Sequence, residues 1–311
     1  MYSRFRSLEN YGEKEIQRLH ESRVAVVGLG ATGSVIAEHL ARHGIELALI
    51  DRDYLEENDL YSSNLYGNED VEKALPKAKA AAEKLSDFTE VDFNVASLSS
   101  ENTGLMDESD LVMDGTDNLE TRFLIDEYCC REGKPWIYTS ALAGSGYSLF
   151  LDSECFSCMF EEVSAGSLGT CEIEGIMREV ASAIASKSAM KAVRYLAGKE
   201  VEQKLETFRG EEFDLESDGC EVCREEKFPH LDSPRSGISV CGEQKFQLEI
   251  DDSGGVIERL KAEADSFSEN DYLLKSKFKA RSVTVFRSGR VIVEAEDRGH
   301  AEALLNEIAG V

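Results

Sequence analysis

The feature that most constrains this chain is a glycine-rich turn between a predicted strand and a predicted helix. Residues 23–34 read RVAVVGLGATGS, an apolar run that breaks into a turn with Gly28, Gly30 and Gly33. Glycine permits the tight turn and lets backbone N–H groups approach a phosphate at the helix N-terminus. Asp51 follows about 20 residues later, ending the next predicted strand, where a carboxylate accepts hydrogen bonds from ribose hydroxyls. The pattern predicts nucleotide binding and leaves NAD and ATP equally open.

Predicted strands and helices alternate along most of the chain, which is typical of a doubly wound, mostly parallel α/β sheet of Rossmann-like type. VDFNVASLS and DLVMDGTDN read as two more strands, and PWIYTSALAGSGYSLFLD as a pair of strands. The segment EEKFPHLDSPRSG is polar and contains two prolines, so it reads as a linker before a small α/β domain. We therefore expect an N-terminal arm at 1–22, a nucleotide-binding domain at 23–235 and a small C-terminal domain at 243–311.

Charge and hydropathy restrict the partners of the chain. It carries 61 acidic and 34 basic residues, for a formal net charge of −27. Such an acidic surface repels phosphate backbones, so nucleic-acid binding is excluded as the main role. No apolar run approaches the roughly 18–20 residues that a membrane span needs, and MYSRFRSLEN at the start has no apolar signal segment. We expect a cytoplasmic protein that binds neither nucleic acid nor membrane.

Four of the eight cysteines form two Cys-x-x-Cys pairs, in the segments ECFSCMF and GCEVCRE. Each such turn directs two thiolates at one tetrahedral ion, and two turns together close a structural zinc site. A redox-active pair is the alternative, but two pairs in one chain of reduced thiols favour zinc. The predicted zinc ligands are Cys155, Cys158, Cys220 and Cys223.

Two further segments place phosphate-binding and metal-binding side chains at the ends of predicted elements. Lys77, in LPKAKA, begins a predicted helix, and Asp117 and Asn118, in DGTDN, follow a predicted strand. Doubly wound sheets bind ligands outside the carboxyl ends of their strands. At that edge a lysine neutralises phosphates and a carboxylate holds Mg²⁺. The combination favours triphosphate chemistry over nicotinamide chemistry.

A series of motifs along the chain resembles one known family. YSRF, RVAVVGLGATGS, LIDRD, LPKAKA, DGTDN, CFSC, GTCEIEG and CEVC resemble, in this order, the ubiquitin-activating-enzyme-like adenylyltransferases of the ThiF/MoeB type. The resemblance covers about residues 2–224. It implies an enzyme that uses ATP to adenylate the C-terminal glycine of a ubiquitin-like or sulfur-carrier protein ending in Gly-Gly, with release of pyrophosphate. It also makes 23–235 an adenylation domain with ATP, Mg²⁺ and Zn²⁺ as cofactors.

The resemblance implies roles for individual residues of the nucleotide site. Asp51 would bind the ribose, and Asp53 of the same LIDRD motif joins the cofactor-binding set. Lys77 would contact the phosphates, and Asp117 would hold the metal and the nucleotide, with Asn118 beside it.

Two more residues are implied to act outside the nucleotide pocket of their own subunit. Arg4 matches the arginine that reaches into the partner subunit's site, which implies a homodimer. Cys171, in SAGSLGTCEIEGI, matches the cysteine that accepts the activated carrier as a thioester or acyl-disulfide. It precedes a predicted long helix, whose N-terminus favours the thiolate.

One segment departs from the family pattern. After the second strand the family usually reads Asn-Leu-x-Arg-Gln, whereas residues 59–63 read DLYSS, so that Ser62 replaces the arginine. Losing a cation that stabilises a triphosphate costs orders of magnitude in rate. This departure keeps open a catalytically weakened nucleotide-binding scaffold or dimer partner of the same family. An NAD-dependent oxidoreductase with structural zinc is a separate alternative, which the glycine turn alone allows.

Overall fold

The structure, a computed structural model, describes residues 5, 7–8, 10–152, 154–160, 175–214, 219–232 and 245–310. The chain divides into two compact units, Met1–Pro234 and Arg235–Val311. Within the described residues, no helix combines the length and the apolar character that crossing a bilayer requires.

The first unit is organised around one sheet. Its described strands are β1 Arg23–Val27, β2 Glu46–Ile50, β3 Val91–Asn94, β4 Leu111–Asp114, β5 Trp136–Leu142, β6 Ser145–Leu151, β7 Lys204–Thr207 and β8 Glu212–Asp214. They lie in the order β3-β2-β1-β4-β5-β6-β7-β8. The four pairings from β3 to β5 are parallel, and the three from β5 to β8 are antiparallel. The predicted α/β class with a mostly parallel sheet is confirmed.

The helices of this unit connect the strands and cover the sheet. Those described are α1 Glu13–His20, α2 Gly33–Arg42, α3 Glu57–Ser62, α4 Asn68–Glu72, α5 Lys77–Leu85, α6 Leu119–Glu132, α7 Ser157–Phe160, α8 Arg178–Leu196, α9 Glu221–Glu225 and α10 Pro229–Asp232, with a 3₁₀ turn at Thr103–Met106. The apolar residues of α5 are buried, from Ala78 to Leu85. Helix α6 ends at Gly133, whose φ of 62° is a left-handed conformation that glycine adopts without strain.

The sheet is buried on both faces. Val24 and Val26 of β1 belong to an apolar cluster with α2, α5 and α8, whereas Ala25 and Val27 belong to a second cluster with α6. Successive side chains of a strand point to opposite faces, so a strand covered on both sides must be apolar throughout. This explains why β1 reads as a continuous apolar run, and it gives the strand ends a rigid base.

The strand order reverses between β1 and β4. The chain passes from β1 outward through β2 to β3 and then returns to the other side of β1 as β4. Doubly wound sheets bind their ligands at such a switch point, in the crevice outside the carboxyl ends of the strands. Here the turn at residues 28–33 follows β1 and the loop at residues 115–118 follows β4, so both predicted nucleotide segments lie at this point.

The second unit is a small α/β fold in its described residues. Its strands are β9 Lys245–Glu249, β10 Ser266–Glu269, β11 Leu273–Phe278, β12 Arg281–Phe286 and β13 Arg290–Glu294, and its helices are α11 Ser253–Glu263 and α12 Arg298–Ala309. The strands form an antiparallel sheet in the order β10-β11-β12-β13-β9. Val283, Val285 and Val291 of this sheet pack against Leu260 and Leu305 of the helices, which forms a separate core.

The segment predicted as a linker is partly structured. Within EEKFPHLDSPRSG the structure has the short helix α10, which packs on α6. The backbone N–H groups of His230 and Leu231 donate hydrogen bonds to the buried Glu127 carboxylate at 2.8 and 3.0 Å. The linker prediction is wrong for these residues because a buried carboxylate, remote in sequence, supplies the partner that an isolated polar segment lacks.

Candidate nucleotide site and cysteine cluster

The glycine turn packs directly against the loop that follows β4. Gly28 has a φ of 82°, and a Cβ placed there would lie 2.8 Å from the carbonyl carbon of Gly115. A Cβ on Gly33 would lie 1.8 Å from the carbonyl oxygen of Gly28, which is an impossible contact. Gly28 and Gly33 are therefore required by the packing of backbone on backbone at the switch point, whether or not a ligand binds.

Gly30 is different, because the described residues do not crowd it. A Cβ at Gly30 would meet none of their heavy atoms within 4 Å, and its φ lies outside the left-handed range. The residue lies just before α2, whose first N–H groups and dipole favour an anion. Of the three predicted glycines, Gly30 is thus the one whose missing side chain leaves room for a phosphate beside the backbone.

Asp51 fastens the glycine turn to the end of β2. Its carboxylate accepts hydrogen bonds from the backbone N–H of Leu29 and of Asp53, each at 2.6 Å, and the residue is only 8% exposed. Burial, together with the neighbouring Asp53 carboxylate, raises the pKa of Asp51 to about 6. An ionised carboxylate has further lone pairs, so these two bonds leave acceptor capacity for ribose hydroxyls.

Lys77 lies in a ring of carboxylates at the same edge. Its Nζ is 2.8 Å from Asp59 Oδ1, and its backbone N–H donates to the carbonyl oxygen of Asp53 at 2.9 Å. Burial opposes the charge on Lys77, but the surrounding carboxylates, Asp53 and Asp51 before Asp59, outweigh it and raise the pKa of the ammonium group. The structure thus brings the predicted residues Asp51, Asp53 and Lys77 together beside the glycine turn.

The DGTDN loop after β4 rests on a buried ion pair that sequence reasoning missed. Arg122 Nε donates to Asp114 Oδ2 at 3.0 Å, and the N–H and hydroxyl of Thr116 donate to Asp114 Oδ1 at 2.8 and 2.6 Å. Arg122 also donates to the carbonyl oxygen of Thr116. Because Asp114 is fully buried and Arg122 nearly so, the pair fixes the backbone from which the next residues project.

Asp117 and Asn118 follow this fixed backbone in different roles. Asp117 is exposed, so its carboxylate faces solvent at the switch point. The Asn118 side chain accepts a hydrogen bond from the N–H of Thr121 at 2.8 Å and caps the N-terminus of α6. The cap occupies the side-chain oxygen of Asn118 and leaves its amide N–H groups as the donors available to a ligand.

The two Cys-x-x-Cys pairs meet in space. The Sγ atoms of Cys155, Cys158, Cys220 and Cys223 all lie within 4.8 Å of one another. Three of the Sγ–Sγ distances, Cys155–Cys158, Cys155–Cys220 and Cys158–Cys223, are 3.2, 3.3 and 3.5 Å, too long for disulfide bonds.

This arrangement fits a zinc ion. A tetrahedral ion with Zn–S bonds of about 2.3 Å places its sulfurs somewhat less than 4 Å apart. Burial raises the pKa of the Cys155 thiol, and the nearby Asp126 carboxylate adds to that effect. Two of the four cysteines are buried and two are partly buried, so their sulfurs would be held together as thiolates only with a compensating cation, which a divalent metal supplies.

One face of α6 supports the cysteine cluster, and no sequence motif indicated it. The buried Asp126 carboxylate accepts hydrogen bonds from the N–H of Phe156, the N–H of Ser157 and the hydroxyl of Ser157, at 2.7, 2.9 and 2.7 Å. It thereby fixes the turn between Cys155 and Cys158. One turn further along α6, Cys130 Sγ approaches the carbonyl oxygen of Val222, in the second cysteine turn, at 4.0 Å.

The sequence profile of the ThiF family matches residues 2–229, well over half of the chain. The chain belongs to the ThiF family.

Two relatives of this ThiF-family chain are named for an adenylyltransferase or an activating enzyme. It is 26% identical to the sulfur carrier protein ThiS adenylyltransferase of Bacillus subtilis, and the match covers 99% of each chain. It is 30% identical to the SAMP-activating enzyme E1 of Haloferax volcanii, over 63% of this chain and 74% of that protein.

Solved structures show the same fold. The crystal structure of E. coli MccB with ATP matches with a TM-score of 0.57 at 17% identity, over 68% of this chain and 69% of MccB. MccB with succinimide matches with a TM-score of 0.60 at 17% identity, over 71% of this chain and 74% of MccB.

Of three further residues in the ThiF-family prediction, the structure describes only Ser62. Arg4 and Cys171 lie outside the described residues. Ser62, in place of the family arginine, is half-buried near the end of α3, and its hydroxyl donates to the carbonyl oxygen of Asn58 at 3.4 Å. Its hydroxyl therefore completes a bond within its own helix.

Proposed function

We propose that this ThiF-family chain is an ATP-dependent adenylyltransferase that activates the C-terminal carboxylate of a ubiquitin-like or sulfur-carrier protein ending in Gly-Gly. The observation that carries the proposal is the meeting of the open Gly30 turn with Asp51 and Lys77 at the switch point of the sheet. The names of the Bacillus subtilis and Haloferax volcanii relatives support the same activity. We assign adenylation to residues 23–235.

The family resemblance implies the reaction, and these residues suit it. A carboxylate oxygen of the carrier attacks the α-phosphorus of ATP, the bond from that phosphorus to the bridging β-phosphate oxygen breaks, and pyrophosphate leaves with the electron pair. No general base is required, because the nucleophile is already an anion. The protein contributes positioning and neutralisation of charge. Asp51 orients the ribose, the turn at Gly30 receives a phosphate on its backbone, and Lys77 moves from Asp59 to the phosphate oxygens.

Metals have separate roles in this proposal. Asp117, exposed beside the turn, would hold Mg²⁺, which neutralises phosphate charge when bound. Zinc on the cysteine cluster would be structural, because four protein ligands close its coordination shell.

A homodimer belongs to the same proposal. By the family resemblance, Arg4 of one protomer would reach the nucleotide of its partner. The arginine lies outside the described residues, so this part rests on the sequence motif YSRF.

ATP–pyrophosphate exchange tests the proposal. The purified chain is incubated with ATP and labelled pyrophosphate, with and without ubiquitin-like carriers that end in Gly-Gly, and with carriers that lack the last glycine. We expect exchange only with the intact carriers. ATP binding without exchange for any carrier would instead support the nucleotide-binding scaffold that Ser62 suggests.

The pKa of Asp51 predicts the acid limb of ATP binding. Because burial raises that pKa to about 6, Asp51 is ionised above pH 6 and takes up a proton below it. Protonation removes the charge and part of the acceptor capacity that hold the ribose, so the affinity for ATP should fall as pH drops below about 6. Calorimetric titration of ATP at several pH values between about 5 and 8, on both sides of that pKa, measures this change in affinity. Asp51→Asn, which cannot ionise, should bind ATP more weakly and show no such limb; a limb unchanged in this variant would assign it to another group.

Cys171 is proposed to accept the activated carrier. Its thiolate would attack the acyl carbon of the adenylate, the carbon–oxygen bond to the phosphate would break, and AMP would leave, giving a thioester. Cys171→Ser should therefore keep pyrophosphate exchange within about threefold, since adenylation precedes this step. It should abolish a thiol-cleavable complex of chain and carrier in non-reducing mass spectrometry. Cys241→Ser is the matched control, and a complex that persists in Cys171→Ser would exclude the role.

A further inference from the structure

Arg178, the first residue of α8, lies beside the turn that precedes α2. Ala31 of that turn packs against an apolar cluster that includes Ala181, and further along, His39 Nε2 lies 3.2 Å from Ser186 Oγ. Later residues of one helix thus meet later residues of the other. The helices α2 and α8 therefore run parallel, and their N-termini lie at the same end.

A second set of contacts places the Arg178 side chain at the same point. The Ser63 hydroxyl donates to the Ser34 hydroxyl, in the first turn of α2, at 2.9 Å, and both residues are buried. The next residue, Asn64, accepts a hydrogen bond on its Oδ1 from Arg178 Nη2. The Arg178 side chain thus bridges the start of α8 and a segment that is bonded to the first turn of α2.

Arg178 differs from two other cations at this edge in the charge of its partner. Lys77 lies 2.8 Å from Asp59, and Arg52 Nε lies 3.7 Å from Asp53, so both cations face carboxylates. Among the described residues, the hydrogen-bond partner of Arg178 is a neutral amide. An amide is readily exchanged for an anion, because no opposite charge has to be separated from the guanidinium.

We propose that Arg178 is a phosphate-binding residue of the nucleotide site, which exchanges its contact with Asn64 for the phosphate oxygens of ATP. This inference rests on the proposed adenylation function. The planar guanidinium fork suits paired phosphate oxygens, and its charge stabilises the pyrophosphate as it departs. The site thereby gains a cation whose partner is not a carboxylate, in addition to Lys77 and Arg52, which both face carboxylates.

Calorimetric titration of ATP and of adenosine into the full chain tests this role. Arg178→Ala should weaken ATP binding about ten- to hundredfold, the loss of a hydrogen-bonded charge contact, and leave adenosine binding within about twofold. Arg178→Lys should recover part of the ATP affinity. Asn64→Ala is the matched control: it removes the same hydrogen bond but keeps the cation, so it should bind ATP within about twofold of the natural chain. Circular dichroism verifies that each variant is folded.

Four outcomes would overturn the inference. If Arg178→Ala and Asn64→Ala weaken ATP equally, the contact is only a structural tie. If Arg178→Ala weakens adenosine as much as ATP, the arginine does not act on phosphates. If the natural chain binds no ATP, both the proposed function and this inference are wrong. If Arg178→Ala binds ATP as tightly as the natural chain, only this inference is wrong. If Arg178→Ala does not fold, Arg178→Gln is titrated in its place with the same expectations.

Discussion

Replacing Lys77 with alanine should lower carrier-dependent ATP–pyrophosphate exchange by about two to three orders of magnitude. Removing one preorganised charge that stabilises a transition state typically has an effect of this size. Lys77 begins α5 beside the glycine turn, and its ammonium group is held charged by the surrounding carboxylates. The loss should appear mainly in the rate at saturating ATP, because the charge on the phosphates grows as pyrophosphate departs.

The other end of the same helix provides the matched control. Lys84 Nζ lies 2.8 Å from Asp70, the same distance that separates Lys77 from Asp59. Lys84→Ala therefore removes an equivalent ion pair from α5 without touching the glycine turn, and exchange should stay within about twofold, as expected for a distant surface pair. Equal losses in the two variants would mean that Lys77 supports only the fold. Unfolding in urea, measured for both, keeps the two effects apart.

Replacing Cys155 with serine should remove the metal and much of the stability of the first unit. The natural chain should contain one zinc ion, measured by elemental mass spectrometry, and the variant almost none. Its free energy of unfolding should fall by about 3 kcal/mol or more, since binding of a structural metal is coupled to folding. Cys155 lies at the centre of the cluster, with Sγ atoms at 3.2 and 3.3 Å from two other cysteines.

Cys130→Ser serves as the control for the cysteine variant. Cys130 is half-buried and packs against the same cluster, but it is not among the four cysteines whose sulfurs converge. It should keep one zinc ion and unfold within about 1 kcal/mol of the natural chain, the usual range for a conservative change outside the metal site. Zinc retained by Cys155→Ser, or lost from Cys130→Ser, would contradict the assignment of the ligands.

The sequence was most informative where local chemistry decides the structure. The glycine spacing predicted the turn after β1 because backbone crowding at Gly28 and Gly33 admits no other residue. The two cysteine motifs predicted a cluster, since each motif is a local turn that brings two sulfurs together. Each motif is a short local pattern that can be recognised in the sequence, whereas the contact of Gly28 with Gly115 and the meeting of the two cysteine turns are tertiary and are shown only by the structure.

Side chains that act across the fold could not be predicted in this way. Arg122 pairs with Asp114 from a helix that follows the strand, and Asp126 binds backbone N–H groups 30 and 31 residues further along. In the sequence both read as ordinary charged residues of a helix. Their role depends on burial, which makes an unpaired charge costly and so selects a partner that only the folded chain brings near.

Asp51 illustrates a prediction that was incomplete. The sequence indicated a ribose-binding carboxylate at the end of β2, but the same carboxylate also accepts the N–H of Leu29 in the glycine turn. A substitution of Asp51 therefore disturbs the turn as well as any ribose contact. Loss of activity in such a variant is not by itself evidence of sugar recognition.

Helix α6 connects the loop after β4 with the two cysteine turns. Its first turn is capped by Asn118 and carries Arg122, which holds the loop after β4, whereas Asp126 and Cys130 further along contact the two cysteine turns. The helix is 14 residues long, so about 20 Å of stiff rod joins the two places. Because one helix supports both places, we expect a substitution that removes the cysteine cluster to disturb the loop after β4 as well, although the two lie at opposite ends of the helix.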